Sequence, residues 1–430
     1  MENREIADFG VDCLLKAGFE KTQCDLIATE KKEIYIENGK VSLLRTIFDF
    51  KLQLMGIKED KRGVISINKL DDVSIKKAVE DLLEMANASQ PDPDNDIAPK
   101  EKTLSLSKGP ETGDTGLMYD RLKAFLHYQE KHYPNTMIEE GGLEHNLTKH
   151  YYSNSNGSRL FSQIGKYDFH FTCTSKKGAQ TSSFDYTGFS AGDLSRELIE
   201  CSNVDLILRN SSNSICTQPF PEKIVGDIIV TPMSVSDVLY FVDRSIEEHS
   251  LISGTSIYKE KLNQSIASPL LTIHSLPMDN KLIGGYHFTP DGFAAENSTY
   301  IDKGVLKNFM LGLIASNKTD KPLSRNRGGS IVVEPGSTSL KDMIKSVDKG
   351  ILLGRFSGGE PSENGDFSGV AKNSFLIEDG KVKHALSETM ISGNFANLIN
   401  EIKSISKEQI DYGSDIIPWI QVGNITISVS

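Results

Sequence analysis

The most informative part of the chain reads Glu388-Thr389-Met390-Ile391-Ser392-Gly393-Asn394-Phe395-Ala396-Asn397-Leu398-Ile399, and it follows the turn Gly365-Asp366-Phe367-Ser368-Gly369. Gly393 stands where a strand passes into a helix, and glycine there admits a backbone geometry or a close approach that a side chain forbids. Asn394 can cap the helix through its side-chain oxygen. The pattern predicts a strand, a cap and a helix over 394–402 with an apolar buried face.

The composition limits the classes of function. With 430 residues, of which 38% are hydrophobic, we expect two or three domains with substantial cores. The 59 acidic and 47 basic side chains give a net charge of -12, which argues against direct nucleic-acid binding. Five cysteines without a CxxC pair indicate a reducing compartment and no thiolate zinc site. No signal sequence or apolar span is recognisable, so we expect a cytoplasmic protein that does not enter a membrane.

The alternation of helical and strand patterns predicts an α+β fold. Residues 1–88 form an N-terminal α/β layer domain with a mostly antiparallel sheet, in which Asn38-Gly39 marks a hairpin turn. A polar linker is expected at 89–113 because its first residues are rich in proline and aspartate. A central antiparallel segment covers 114–218, and a larger β-rich C-terminal domain covers 219–430.

The strongest amphipathic helix of the chain follows a buried strand at Asp227–Val230. It is expected to begin at Ser234 or Ser236. Its apolar residues recur at helical spacing and comprise Val235, Val238, Leu239, Val242 and Ile246.

A GxSxG sequence at Gly188–Gly192 matches the nucleophile elbow of serine hydrolases. An elbow requires a buried parallel strand before the serine, whereas Thr181–Tyr186 is polar and alternating. Ser190 or Asp193 is therefore predicted to cap a helix over 193–201. A serine hydrolase acting through Ser190 remains the alternative.

Several histidines could suggest a metal site. His127 and His132, like His145 and His150, are five residues apart, and on a helix this spacing separates two side chains by about 140°. They would not converge, so we expect surface histidines. Glu247-Glu248-His249 ends the amphipathic helix and could supply metal ligands, or form a solvated helix end.

The loop Lys318–Gly329 is the basic patch of this acidic chain. It carries four cations, including Arg325 and Arg327, against one carboxylate. Such a loop could bind a carboxylate, a peptide terminus or a phosphate, or could simply be solvated.

Four segments of the C-terminal half carry a family resemblance. They read VTPMSVSDVL (230–239), GVLKNFML (304–311), NGDFSGVAKNSFLIEDGKV (364–382) and ETMISGNFANLINEI (388–402). In this order they resemble the TldD/PmbA family, and the similarity extends over nearly the whole chain. The resemblance implies an N-terminal α/β domain, a larger β-rich C-terminal domain, and dimers around an inner cavity where extended, unfolded peptides are cut.

One branch of that family binds zinc through an HExxxH motif and a later cysteine, and the PmbA/TldE branch lacks both. Aligning the amphipathic helix with the motif places Tyr240, Phe241 and Ser245 at the positions of histidine, glutamate and histidine. A phenol titrates near 10, phenylalanine cannot activate water, and serine is a poor zinc donor. No cysteine follows Cys216. The resemblance therefore implies no catalytic residue and no metal in this chain, with zinc only in a TldD-like partner.

The leading hypothesis is a non-catalytic PmbA/TldE-like subunit that pairs with a TldD-like subunit or with itself. Extended peptide would be held by main-chain pairing to a sheet edge. Arg325, Arg327, Gly393 and Asn394 are the candidate peptide or partner contacts, and Gly393→Val is expected to weaken dimerisation more than it lowers the melting temperature. The alternative is a stand-alone homodimeric regulator that binds a peptide or protein, of the gyrase-modulator type, without protease activity.

Overall fold

The computed structural model describes residues 3–358 and 361–429, and their architecture is α+β as predicted. The helices are α1 (Asn3–Lys16), α2 (Asp72–Ala88), α3 (Thr115–His132), α4 (Val204–Asn213), α5 (Pro232–Ile246), α6 (Glu248–Ile252), α7 (Leu313–Thr319), α8 (Leu340–Ser346) and α9 (Phe395–Asn400). No helix in these two ranges is long and apolar enough to cross a membrane.

The strands fall into two groups along the chain. The first group is β1 (Lys21–Glu37), β2 (Lys40–Lys58), β3 (Lys61–Ile67), β4 (Leu104–Lys108), β5 (Thr136–Asn154), β6 (Arg159–Lys177), β7 (Gln180–Thr181) and β8 (Asp185–Ala191). The second group is β9 (Thr217–Gln218), β10 (Ile224–Val230), β11 (Ile273–Ser275), β12 (Ser298–Asp302), β13 (Val305–Leu306), β14 (Ile331–Val333), β15 (Lys349–Leu353), β16 (Arg355–Gly358), β17 (Asp366–Lys372), β18 (Phe375–Glu378), β19 (Lys381–Leu386), β20 (Thr389–Asn394), β21 (Ile402–Asp411) and β22 (Ile416–Val429).

The first group forms one sheet in the order β3-β2-β1-β5-β6-β4, with β7 and β8 also paired to β6. All its pairs are antiparallel except β4 with β6. Two apolar cores lie on it, one under α1 and α2 and the other under α3 and α4. The predicted hairpin turn at Asn38-Gly39 is confirmed, because both residues have positive φ.

Two sequence predictions for this sheet need correction. The sequence pattern predicts separate strands at Val41–Phe48 and Lys51–Ile57, but both are parts of the single strand β2. Within the predicted linker 89–113, Leu104–Lys108 forms β4, and Ile97 and Ala98 are buried. The polar composition suggested a linker because the side chains of β4 stay largely exposed, although its backbone pairs with β6. The sheet thus joins 1–88 to 114–218, and the full domain division stays a prediction.

The second group forms the larger C-terminal sheet, as predicted. Its longest strand, β22, pairs with β10, β14, β20 and β21. Helix α5 follows β10 directly and buries its apolar face against this sheet. The main core of the chain therefore lies between α5, α9 and the central strands of the C-terminal sheet.

We call residues 388–399 the signature segment, and this segment packs within the main core. In β20, Gly393 pairs with Phe367 of β17. The φ of Gly393 is not positive, and a Cβ there would lie 3.2 Å from both the Phe367 ring and Ile425. Close approach is therefore the reason for glycine. The predicted cap is confirmed, since the Asn394 side chain accepts a hydrogen bond from Asn397 N, although α9 ends at Asn400.

Candidate functional site

Helix α5 carries the positions aligned with the zinc motif. It begins at Pro232, whose missing N–H and fixed φ suit the first helical position, rather than at Ser234 or Ser236. Thr231 precedes the helix and its hydroxyl donates to Gly354 O at 2.8 Å, as Ser234 does at 3.3 Å. These two bonds fix the start of α5 against the end of β15.

Phe241 stands at the position of the motif glutamate, and it belongs to the core. Its side chain is 3% exposed, and its ring centroid lies 5.7 Å from that of Phe395. Phe395 stacks on Phe367 at 4.4 Å, and Phe367 meets Phe356 edge-on at 5.6 Å. We call Phe241, Phe356, Phe367 and Phe395 the aromatic cluster. It occupies the space into which a catalytic glutamate would project.

The turn predicted at Gly365–Gly369 is wrong for its last four residues, because β17 begins at Asp366; the turn instead ends at Gly365, whose N donates to Ser362 O at 2.8 Å. This Gly365 turn closes over the aromatic cluster. Gly365 has a φ of +93°, which L side chains rarely adopt, and a Cβ at this position would lie 2.9 Å from Phe241 Cζ. Its carbonyl accepts a hydrogen bond from Phe395 N at 2.8 Å. Glycine is therefore required at 365 both by the backbone and by the contact with Phe241.

The other two motif positions do not face a common centre. Tyr240 is 51% exposed, and the Arg244 guanidinium lies 5.7 Å from its ring centroid. Ser245 is buried, and its hydroxyl donates to Phe241 O at 2.8 Å, a bond to the preceding helical turn. Ser245 is thus satisfied by its own helix, while Tyr240 faces outward.

A cavity of about 160 Å³ lies beside Phe241 and Ser245. Its wall is rich in hydroxyl groups, and His249 and Glu363 are the two residues on it of types that commonly bind zinc. Across 3–358 and 361–429, no group of three or more His, Cys, Asp or Glu side chains could hold a metal ion. The residues present here do not fit a zinc centre.

Glu247-Glu248-His249 does not form a convergent ligand set either. Helix α5 ends at Ile246, and Glu248 and His249 belong to the separate short helix α6. The Glu248 carboxylate pairs with Arg327 and accepts a hydrogen bond from Gly312 N at 2.7 Å. Glu248 is therefore committed to holding α6 against the start of α7.

Comparison with known proteins identifies the family of this chain. Residues 223–429 match the model of the PmbA/TldA metallopeptidase C-terminal domain. The chain belongs to the PmbA/TldD family. The family assignment made from the sequence is thereby confirmed.

Three similar proteins cover most of the chain. Metalloprotease MJ0996 of Methanocaldococcus jannaschii is 19% identical over 402 residues, which are 88% of each chain. The structure of TldE from Thermococcus kodakarensis is 20% identical, with a TM-score of 0.84 over 99% of both chains. A proposed modulator of DNA gyrase from Bacteroides thetaiotaomicron is 21% identical, with a TM-score of 0.89 over 100% of this chain and 99% of that one. At these identities the two structures establish the PmbA/TldD fold and no more.

The basic loop of this family member is already neutralised within the chain. Lys318 pairs with Asp92 and Lys321 with Glu260. Arg325 pairs with Glu101 and Glu296, and Arg327 pairs with Glu248 and Asp291. The sequence could not reveal these partners because they lie far away along the chain. The loop anchors neighbouring segments, and the contact role expected of Arg325 and Arg327 stays a prediction.

Gly393 and Asn394, the other two candidate contacts, also have intramolecular partners. Gly393 packs against Phe367 and Ile425, as described above. The Asn394 amide donates to Asn364 O and to Asp366 Oδ1, both at 2.9 Å. These bonds hold the 365 turn against the start of α9, and the peptide or partner contact predicted for these residues is untested.

The histidine prediction is correct for one pair and wrong for part of the other. His127 and His132 are exposed on α3. His145 and His150 lie on strand β5, and His145 is 1% exposed with Nε2 at 3.0 Å from Pro110 O. His150 Nε2 lies 2.6 Å from Asp25 Oδ1. On a strand, residues five apart point to opposite faces, so His145 and His150 do not converge. His127 and His132 diverge because of the helical spacing, as expected.

Ser190 is neither a helix cap nor an activated nucleophile. It lies in β8, which pairs antiparallel with β6, and its hydroxyl donates to Asp168 Oδ1 at 2.5 Å. Lys166 donates to the same carboxylate oxygen at 2.8 Å and to the Ser190 hydroxyl at 3.3 Å, so it acts as a hydrogen-bond donor to both groups rather than as a base for Ser190. The helix predicted at 193–201 is limited to a 3-10 turn at Leu198–Glu200, because Asp193 bonds locally to Ser195 N at 2.8 Å.

Two acidic residues of α5 were not singled out from the sequence. Burial raises the pKa of Asp243 to about 7, and the negative charges of Glu247 and Asp415 act in the same direction. Desolvation by neighbouring atoms also raises the pKa of Asp237 to about 6, against the opposing effect of Arg355, although Asp237 keeps an exposed surface. No local pattern marks them, since their desolvation arises from the tertiary surroundings of α5.

Proposed function

We propose that this chain is a non-catalytic PmbA/TldE-like subunit of a zinc metalloprotease that acts on unfolded peptides. The observation that carries the proposal is Phe241, which stands at the position of the motif glutamate and is locked in the aromatic cluster. A phenyl ring can neither bind zinc nor accept a proton from water. In this proposal the zinc and its general base belong to a TldD-like partner subunit.

The surroundings of Phe241 support a permanent rather than a conditional loss of the site. The Gly365 turn fits directly over the ring, and Phe395 packs against it from α9. Opening this space would break the contact between α5 and the signature segment. A change of side-chain rotamer would therefore not create a metal centre, and the fold has adapted to its absence.

A candidate surface for peptide lies beside the exposed face of α5. Within the described parts of the chain, β16 pairs with β17 alone, so its second edge lacks a strand partner. Arg355, the first residue of β16, lies over the exposed Phe184 ring at 4.3 Å. An extended peptide could add to such an edge through main-chain hydrogen bonds, which do not depend on its sequence.

Two measurements on the purified chain test the catalytic half of the proposal. After removal of loosely bound metal with a chelator and incubation with zinc, elemental analysis should find no stoichiometric zinc. An unfolded peptide should remain uncut, both with wild type and with Ser190→Ala. One zinc per chain that is lost in His249→Ala, or cleavage that is lost in Ser190→Ala, would overturn it.

A third measurement tests the subunit half. In sedimentation experiments the chain should associate with an HExxxH-bearing homologue that itself cleaves the peptide. If the chain ignores such a homologue yet binds the peptide alone, the stand-alone regulator replaces the subunit as the account of its function.

A further inference from the structure

A cavity of about 440 Å³ lies where the end of β8 meets the turn between β21 and β22. One wall is formed by residues within 189–202, which include the last residues of the GxSxG sequence. The other wall is formed by residues within 281–283 and 409–413. Small-molecule sites usually have volumes of about 300–1,000 Å³ and often lie between domains. The cavity therefore has the size and the position of a ligand site.

Main-chain contacts hold the two walls together. Ser190 N donates to Tyr412 O and Ile283 N donates to Gly413 O, both at 2.8 Å. Gly413 has a φ of +74°, and a Cβ at this position would lie 1.7 Å from Ser190 O, so the two backbones approach as only glycine permits. Since the chain itself fixes the walls, a ligand would not have to order them, and binding costs less free energy.

The floor of the cavity is apolar. Phe189, Leu194 and Leu198 belong to the core under α3 and α4, and Ile283 faces them from the second wall. All four side chains are buried. An apolar group placed on this floor would be removed from water, which favours binding. The floor therefore predicts a ligand with an apolar portion.

The rim of the cavity carries charges of both signs. Asp193, Glu200 and Asp411 are acidic, Arg196 and Lys281 are basic, and all five side chains are exposed. A multivalent anion such as a nucleotide would meet three carboxylates, and a polyamine would meet two cations. Neither ligand matches the rim, because like charges brought together cost free energy. A zwitterion matches both signs.

The rim offers separate places for the two charges of a zwitterion. Asp193 accepts a hydrogen bond from Ser195 N at 2.8 Å, and Asp411 accepts one from Gly413 N at 2.7 Å. A carboxylate accepts more than one bond, so both can still accept N–H groups of an ammonium. Lys281, unlike the cations of the basic loop, makes no ion pair within the described part of the chain. Its ammonium group is available for a carboxylate.

A polar group of the wall also lacks a partner. The hydroxyl of Ser202 is buried and has no hydrogen bond among the described residues. The φ of Ser202 is +51°, which is uncommon for a residue other than glycine. Buried hydroxyl groups normally have partners, because an unpaired one costs free energy. A polar group of a ligand could supply the missing bond.

We propose that this cavity binds a small zwitterion with an apolar body, namely a free amino acid or a dipeptide with large apolar side chains. The apolar side chain lies on the floor, the ammonium group bonds Asp193 and Asp411, and the carboxylate pairs with Lys281. None of the cavity residues belongs to α5 or β16. The site is therefore separate from the function proposed above and does not rest on it.

Isothermal titration calorimetry of the full chain tests the site with two probes. L-phenylalanine and leucyl-leucine distinguish a free amino acid from a dipeptide, and at least one should bind with a dissociation constant below about 1 mM. Two analogues of the bound probe test the charges. Its amide, which lacks the carboxylate, and its analogue without the ammonium group should each bind at least about fivefold more weakly.

Gly192→Leu is designed to fill the cavity. Gly192 does not have a positive φ, and a Cβ there would lie 3.6 Å from Ile283 Cδ1, which is an ordinary contact. The variant should therefore melt like wild type in circular dichroism and should not bind the probe. Gly116→Leu, an exposed position near the start of α3 with similar space, is the matched control and should bind like wild type.

Lys281→Gln assigns the carboxylate of the ligand and changes only an exposed side chain. Wild type should prefer the zwitterion to its amide, whereas Lys281→Gln should bind the two with affinities equal within about twofold. Lys307→Gln, at another exposed lysine, should keep the preference. Failure of wild type to bind either probe up to about 10 mM, undiminished binding by Gly192→Leu, or a preference that persists in Lys281→Gln would each overturn the proposal.

Discussion

Phe241 on α5 and Phe48 on β2 are both aromatic residues in elements with an apolar face, yet they are 3% and 66% exposed. Phe241 has the Gly365 turn and Phe395 against its ring, so its role is completed within the chain. Phe48 pairs with β1 on one side, and among the described residues no strand pairs with it on the other. The two rings therefore differ in whether residues of the same chain cover them. Phe241 fills the position of a metal-site residue with core, whereas Phe48 is left exposed by its own chain.

The largest expected effect is on the stability contributed by the buried ring of Phe241. Phe241→Ala should lower the free energy of unfolding by about 3–5 kcal/mol, because it leaves a cavity in the aromatic cluster. The neighbouring Tyr240→Ala removes an exposed ring and should cost less than about 1 kcal/mol. Urea denaturation measures both values. Equal losses at 240 and 241 would mean that the aromatic cluster is not what holds the signature segment on α5.

Gly393→Val should destabilise the same region by about 1–3 kcal/mol, because its side chain meets Phe367 and Ile425 in a filled space. This replaces the expectation from sequence that dimerisation would suffer more than the melting temperature. Ser392→Val, one residue earlier in β20 and partly exposed, is the control and should change stability by less than about 1 kcal/mol. If thermal melting is unchanged by Gly393→Val while sedimentation shows lost association, the expectation from sequence that Gly393 contacts a partner is supported instead.

Asp243, which is half-buried on α5, links stability to pH. Its pKa is raised to about 7, so the folded chain holds a proton that the unfolded chain releases near pH 4. Stability should therefore fall as pH rises from about 4 to about 7. Asp243→Asn removes this dependence, and its unfolding free energy should exceed that of wild type by on the order of 2 kcal/mol at pH 8, with little difference at pH 4.

Urea denaturation at several pH values measures this effect. The exposed Asp120→Asn on α3 serves as the control and should leave the pH profile of wild type unchanged. Parallel pH profiles for wild type and Asp243→Asn would contradict the assignment of a desolvated carboxyl at this position.

The smallest effect on stability is expected for the exposed ring of Phe48. Phe48→Ser should change the free energy of unfolding by less than about 0.5 kcal/mol at concentrations where the chain is monomeric, because most of the ring is already exposed to solvent. Leu52→Ser in the same strand is the matched buried change and should cost several times more. A large loss in Phe48→Ser would show that the ring packs within its own chain.

The sequence predicted most of the elements that rely on local signals. The turn at Asn38-Gly39, the cap at Asn394 and the apolar stripe of α5 each follow from spacing and residue type, and each is present. The α+β class and the β-rich C-terminal half were likewise predictable from the alternation of patterns.

The failures involve contacts between distant residues. The helix expected at 193–201 is limited to a 3-10 turn, since Asp193 bonds locally to Ser195 N and Ser190, the other expected cap, belongs to β8 and bonds Asp168 across the sheet. The basic loop is neutralised by carboxylates such as Asp92 and Glu101, more than 200 positions away. The motif positions 240, 241 and 245 could be identified by family resemblance, but their burial and their separate directions required coordinates. No pattern in the sequence marked the edge of β2 at 40–51 that lacks a second partner strand among the described residues.

The central claim is that catalysis by an assembly containing this chain would use zinc and a glutamate from the partner alone. The direct measurement is cleavage of an unfolded peptide by this chain mixed with an HExxxH-bearing homologue, and by the same mixture after the motif glutamate of the homologue is changed to glutamine. We expect cleavage in the first mixture and none in the second or with this chain alone. Cleavage that persists in the second mixture at the rate of the first would contradict the account.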